Sequence, residues 1–168
     1  MIGTPPRRSL GIDLGERRIG LAIREGSTPP RGLPTMMRRT TAAADSERLR
    51  IIAAEGRVTE LVVGLPLHSD GSMSPQATAT LRWATEVGEA LRLPVTFVDE
   101  RYSSQRAEAS LGRAPRGSNG GAPGPARREA RRAAVDREAA RLILEDALNP
   151  ELLIDPSTLA VDVRKSAG

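Results

Sequence analysis

The chain has 168 residues, enough for one domain with a proper core and too few for two of ordinary size; it carries no cysteine. Aromatic residues make up only 2%, so the core must be aliphatic, and Phe97, Trp83 and Tyr102 are too few for base stacking to be the main grip on a ligand. The net charge is +4, the pI is near 10.8 and Lys165 is the single lysine among 25 basic residues; planar guanidinium groups suit bidentate phosphate contacts, so nucleic acid is a natural partner.

Residues 1–8 (MIGTPPRR) are proline-containing and basic, and are expected to be disordered ahead of a single domain over 9–149, with 150–168 as a C-terminal tail. No apolar leader core follows Arg7 and Arg8, and no run is long enough to span a bilayer, so a cytoplasmic protein with no membrane partner is expected. Leu10 to Ile23 (LGIDLGERRIGLAI) predicts a buried hairpin. Apolar residues crowd both sides of Asp13, Gly15 and Glu16 supply turn chemistry, and Ile19, Leu21 and Ile23 resume a period of two. Arg31 to Arg38 alternates Leu33, Thr35 and Met37, and Pro34 suits an edge strand.

Leu49, Ile52 and Ala53 predict a helix over 43–55 with Gly56 at its C-terminal cap. Glu60 to Gly64 (ELVVG) is a short buried strand, followed by a loop with a turn at Asp70-Gly71. Ser74 and Pro75 open a helix whose Ala77, Leu81, Ala84, Val87 and Leu91 form one stripe. Val95 to Val98 is the next strand and runs directly into Asp99-Glu100-Arg101, where open α/β sheets place their sites. Ser103 or Ser104 is expected to cap a short helix to Leu111, closed by Gly112. Residues 113–126 have the composition of a loop, expected to be mobile and made basic by Arg113 and Arg116. Over Arg127 to Leu148 a helix places Ala140, Ile143, Leu144 and Ala147 on one face, and a step of four back from Ala140 adds Asp136. The order of elements predicts an α/β fold, a mixed sheet with helices on its faces.

Three acidic positions stand out: Asp13, the pair Asp99 and Glu100, and Asp136. Brought together by the sheet, they would repel one another at neutral pH unless a cation neutralised them. Oxygen-only ligands suit Mg²⁺ or Mn²⁺, whereas the absence of cysteine and a lone His68 argue against zinc. Such ions support phosphodiester hydrolysis by activating water and stabilising the leaving oxygen. Each acid also has a plainer use: Asp13 on turn amides, Asp99 or Glu100 with Arg101, Asp136 with Arg132 on its own helix. Asp99 and Glu100 point to opposite faces of their strand, so only one readily joins a cluster, and alternation alone does not choose between them.

Four blocks in order, GIDLGERRIGLAI, VVGLPLHSDG, VTFVDERYSSQRAE and VDREAARLIL, give the chain its family likeness over about Ser9 to Leu148. They resemble the YqgF family of RuvX-like nucleases, within the ribonuclease H-like superfamily. The resemblance implies a five-stranded mixed sheet flanked by helices, metal-dependent nuclease chemistry and a part in maturing the 5′ end of precursor 16S ribosomal RNA, with a ribosomal precursor particle as a partner. It implies Asp13, Glu100 and Asp136 as the catalytic metal ligands, and matches Arg18 and Arg101 to the basic residues of their blocks. Ser103-Ser104 stands where the family has Thr-Thr, and Arg127, Arg128, Arg131 and Arg132 stand where it has lysines. Arg18, Arg101, Arg113, Arg116, Arg127 and Arg128 are therefore the expected nucleic-acid contacts.

Two other functions compete. A Holliday-junction resolvase acting on branched DNA would use the same acids, and symmetric cleavage favours a homodimer over a monomer. A non-catalytic RNA-binding module would keep the acids as structural groups. The hairpin turn is also similar to the phosphate-binding turn of actin-like sugar kinases, but 168 residues leave no room for a second phosphate loop and an adenosine site.

Overall fold

The period-two stretch closes into an antiparallel hairpin of β1 (Arg8–Leu14) and β2 (Arg18–Glu25), with Asp13 opposite Gly20 and Leu14 opposite Ile19. The structure is a computed structural model; it describes residues 3–114, 116, 117, 119–155, 157 and 158, without the side chain of Ser104. β3 (Arg31–Met37) lies antiparallel to β2 at the sheet edge, where the missing N–H of Pro34 interrupts no central ladder. β4 (Glu60–Leu65) and β5 (Val95–Asp99) run parallel to β1, in the sheet order β3-β2-β1-β4-β5-β6.

The sheet therefore has six strands rather than the expected five. After a single 3-10 turn at Pro150–Leu152, β6 (Leu153–Ile154) pairs antiparallel with Val98 and Phe97 of β5. Two residues are too few to show a period, which is why the segment reads from sequence as a tail. Arg8, expected among the disordered residues, is the first residue of β1 and pairs with Glu25. The expectations for residues 1, 2 and 159–168, and for the Ser104 hydroxyl, lie outside the described residues.

Four α-helices of eight residues or more, among the described residues, cover the faces. α1 (Ala42–Glu55) starts at Thr41, whose hydroxyl accepts from the Ala44 amide at 3.2 Å, and α2 (Pro75–Leu91) starts at Ser74, which accepts from Ala77 at 2.9 Å. α3 (Ser103–Leu111) departs from expectation: Tyr102 occupies its N-cap with no side-chain cap bond, and the Ser103 hydroxyl is turned to Glu100 instead. α4 (Pro125–Asp146) begins two residues earlier than the apolar pattern predicts, with Pro125 in its first turn.

Strand alternation divides the core. Leu10, Ile12, Leu14, Leu61, Val63, Leu65 and Phe97 meet Leu49 of α1 and Trp83, Ala84 and Val87 of α2. On the other face, Ala22, Val62 and Val98 meet Ala140, Ile143 and Leu144 of α4. That second face is built of small residues, and α4 comes down almost onto the strand backbones. A Cβ added to Gly20 would lie 2.6 Å from the carbonyl carbon of Asp136, and one added to Gly64 would lie 2.7 Å from Ile143 Cδ1. Gly20→Ala should therefore lift α4 from β2 and lower stability by about 1–3 kcal/mol, a loss of roughly 2–4 °C in melting temperature for each kcal/mol. An unchanged melting temperature would show that the helix has room to spare.

Candidate active site

The parity that divides the core also selects the acids. Gly11 faces α4, so Asp13, two residues on, faces it too; Val98 packs with Ala140 and Ile143, so Glu100 shares its face and Asp99 does not. β1, β4 and β5 are parallel and all end here, which brings Asp13 and Glu100 together at their carboxyl ends. The Glu100 amide donates to the Leu65 carbonyl at 3.0 Å, extending the strand pairing by one step past β5. With only hydrogen at the Gly64 Cα, the Glu100 carboxyl fits against β4: a Cβ there would lie 2.7 Å from its carboxyl carbon.

The Asp13 and Glu100 carboxyls are within hydrogen-bonding reach of each other. Burial pushes Glu100 well above the ordinary carboxylate range; the Asp13 charge and the shared hydrogen bond raise it further, while the Ser103 hydroxyl, donating to Glu100 Oε1 at 2.7 Å, opposes the shift. Asp13 is also raised, first by burial and then by the charge of Asp136, with the bond from Glu100 working the other way. The two carboxyls therefore oppose each other's ionisation and titrate as a pair.

Asp136 lies near this pair without joining it. Arg18 reaches across from β2, its Nε donating to Asp136 Oδ2 at 2.7 Å and its Nη1 to Glu129 at 3.1 Å. Asp136 is thus paired with Arg18 rather than with Arg132, which faces Glu129 at 3.9 Å. Among the described residues, no three acids or other ligating side chains form a group spaced to hold a metal ion. Asp99 on the opposite face binds Arg101, with Arg101 Nε at 2.8 Å and Nη2 at 2.7 Å from its Oδ2, while Arg101 Nη1 donates to the Ser69 carbonyl at 3.1 Å. His68 is exposed on the loop after β4.

A pocket of about 220 Å³ opens over the acid pair, lined also by Pro66, Gln76, Tyr102 and Gln105. Gln105 lines in addition a groove of about 730 Å³ between α3 and α4, with Arg18, Arg113, Arg131, Arg132 and Asp136 on its walls. Of the expected nucleic-acid contacts, Arg18 and Arg113 line the groove and Arg101 lines the acid pocket. Arg127 donates to the Arg116 carbonyl and Arg128 to the Pro123 carbonyl, so both spend a nitrogen on the loop before α4. Arg116 is exposed and lines neither cavity. Gln105 and Tyr102 escape a search for charged residues; the phase of α3 relative to Glu100 is the signal that would have found Gln105.

Because the folded pKa of Glu100 lies above its ordinary value near 4.5, metal-free stability is fully present below that value and declines as pH rises through the folded one. Glu100→Gln keeps the size and removes the buried group that resists ionisation. Its melting temperature without metal should exceed that of the unsubstituted chain by a few degrees at neutral pH, and the gap should widen as pH rises above about 4.5. A gap independent of pH would show that Glu100 does not titrate differently in the two states.

A family model described as "RuvX: Holliday junction resolvase" matches residues 7–150. A curated protein of Synechococcus sp. named "Putative pre-16S rRNA nuclease" is 41% identical over 152 residues, covering 88% of this chain and 92% of its own length. One of the same name from Myxococcus xanthus is 36% identical over 143 residues, covering 84% and 87%. Among solved structures, "T. thermophilus RuvC in complex with Holliday junction substrate" matches with a TM-score of 0.53 at 15% identity, covering 88% of this chain and 99% of that one; it shares the ribonuclease H-like fold. The blocks that carry Asp13, Glu100 and Asp136 all fall within the matched span, and the chain belongs to the RuvX family.

Proposed function

We propose that the protein is a cytoplasmic metal-dependent endonuclease that hydrolyses phosphodiester bonds in structured RNA, acting in 5′-end maturation of precursor 16S ribosomal RNA. The observation that carries this reading is a pair of carboxyls at the ends of parallel strands, Glu100 buried and Asp13 half-buried, under a pocket whose Gln105 also lines an arginine-lined groove. The names of the curated relatives support the choice of substrate.

The donors fit a hard divalent ion. Asp13 and Glu100 offer only oxygen, are held together by the sheet and repel one another once ionised, which is the chemistry that Mg²⁺ or Mn²⁺ satisfies. Asp13 and Glu100 would hold the ion, with Asp136 as a third oxygen donor when its bond to Arg18 opens. When bound, such an ion lowers the pKa of water and offsets charge building on the scissile phosphate. The Ser103 hydroxyl orients the Glu100 carboxyl, and Arg18, Arg113 and Arg132 draw the phosphate backbone along the groove. A second reading, cleavage of branched DNA, draws support from the description of the matching family model. A homodimer that cuts a four-way junction symmetrically and leaves precursor RNA intact would establish it; a non-catalytic module would cut neither.

Asp13→Asn and Glu100→Gln should each abolish Mg²⁺-dependent cleavage of a labelled precursor RNA while the chain stays folded, whereas Asp99→Asn should act through stability, by freeing Arg101. Turnover at the unsubstituted rate in Glu100→Gln would overturn the assignment of the metal site. For the groove, Arg113→Ala and Arg132→Ala together should reduce the slope of log affinity against log salt by roughly 0.7–0.9 for each lost phosphate contact. A slope that does not move would place the nucleic acid elsewhere.

A further inference from the structure

Tyr102 is the chain's only exposed aromatic residue. The sequence contains one Phe, one Trp and one Tyr; Phe97 and Trp83 are 3% and 5% exposed inside the core, while Tyr102 is 54% exposed. It stands on the wall of the acid pocket that Asp13 and Glu100 line. Tyr102 also occupies the N-cap of α3 and makes no cap bond, a position where serine, threonine or aspartate would satisfy a free amide. A residue that forgoes local stability at the edge of a reactive pocket marks a requirement other than folding.

Its surroundings hold it in place. Arg101, immediately before it, is clamped by Asp99 and the Ser69 carbonyl, and Ser103, immediately after it, is bonded to Glu100. The Cα atoms of Tyr102 and Glu100 are two residues apart and so within about 7.6 Å. A ring on the wall of that pocket is within reach of the base of a nucleotide whose phosphate sits at the acids, and every base has a π-face to offer it. From this juxtaposition we propose that Tyr102 is a stacking platform for one unpaired nucleobase beside the scissile phosphate, setting which phosphate is cut. That a cut is made beside the platform rests on the nuclease reading; the stacking itself is a binding property. It adds a specificity that a purely electrostatic groove lacks, because phosphate contacts carry no information on where a strand is unpaired.

The test uses the full chain and short single-stranded RNAs with 2-aminopurine at successive positions, bound in Ca²⁺ so that fluorescence is read without turnover. The unsubstituted protein and Tyr102→Phe should quench one position, and Tyr102→Ala should lose that quench and bind about 10-fold more weakly, within the range for one base–aromatic stack. Tyr102→Leu separates stacking from packing: it keeps apolar bulk without a π-face and should behave like Tyr102→Ala. In Mg²⁺, cleavage by Tyr102→Ala should spread over neighbouring phosphates. Quenching that survives in Tyr102→Ala, that is absent from the unsubstituted protein, or that is lost in Tyr102→Phe would overturn the proposal. Ring-dependent quenching by a chain that cuts neither RNA nor DNA in Mg²⁺ would instead overturn the nuclease reading and leave the platform standing.

Discussion

The close approach of α4 to a sheet face of small residues is the constraint on which the site depends. Hydrogen at the Cα positions of Gly11, Gly20 and Gly64 lets Ala140, Ile143 and Leu144 seat directly on the strands, and the same closeness leaves Asp13 and Glu100 little water. Desolvation is the largest cause of the upward shift in both acids, and for Glu100 mutual repulsion follows it. The tight helix contact and the perturbed acids are therefore one feature. A looser α4 would admit water and return both groups towards ordinary carboxylate behaviour.

Arg18 gives this arrangement its charge balance. Asp13 and Glu100 oppose each other's ionisation, and the third acid, Asp136, is paired with Arg18 from the neighbouring strand. The pair joins β2 to α4 at the mouth of the site, where Gly20 and the Asp136 backbone already touch. Charge and packing thus fasten the same two elements.

The arginines divide by what holds them. Arg101, Arg127, Arg128 and Arg131 donate to Asp99 or to backbone carbonyls; Arg131 ties the end of α3 to α4 through Leu111 and Gly112. Arg113 and Arg132 line the groove; among the described residues Arg132 meets only Glu129, at 3.9 Å, and Arg113 has no such tie. A count of basic residues treats all of them as phosphate ligands, whereas a guanidinium already spent on carbonyls has fewer donors left for a phosphate.

Period and punctuation alone determined most of the architecture. The hairpin around Asp13, the strands at Glu60 and Val95, the cap at Ser74 and the apolar face of the last helix are local patterns, and local patterns are legible in a sequence. Glu100 over Asp99 was within reach of alternation once the face of Val98 was known, but which face α4 covers is a tertiary fact. Only the folded chain decided that Asp136 turns to Arg18, 118 residues away, rather than to Arg132 one helical turn back. It also decided that Ser103 orients Glu100 instead of capping α3, and that Leu153 and Ile154 complete the sheet. Each of these is a contact between residues distant in the chain or a choice between two partners of equal chemistry, and in both cases geometry, not residue type, selects the outcome.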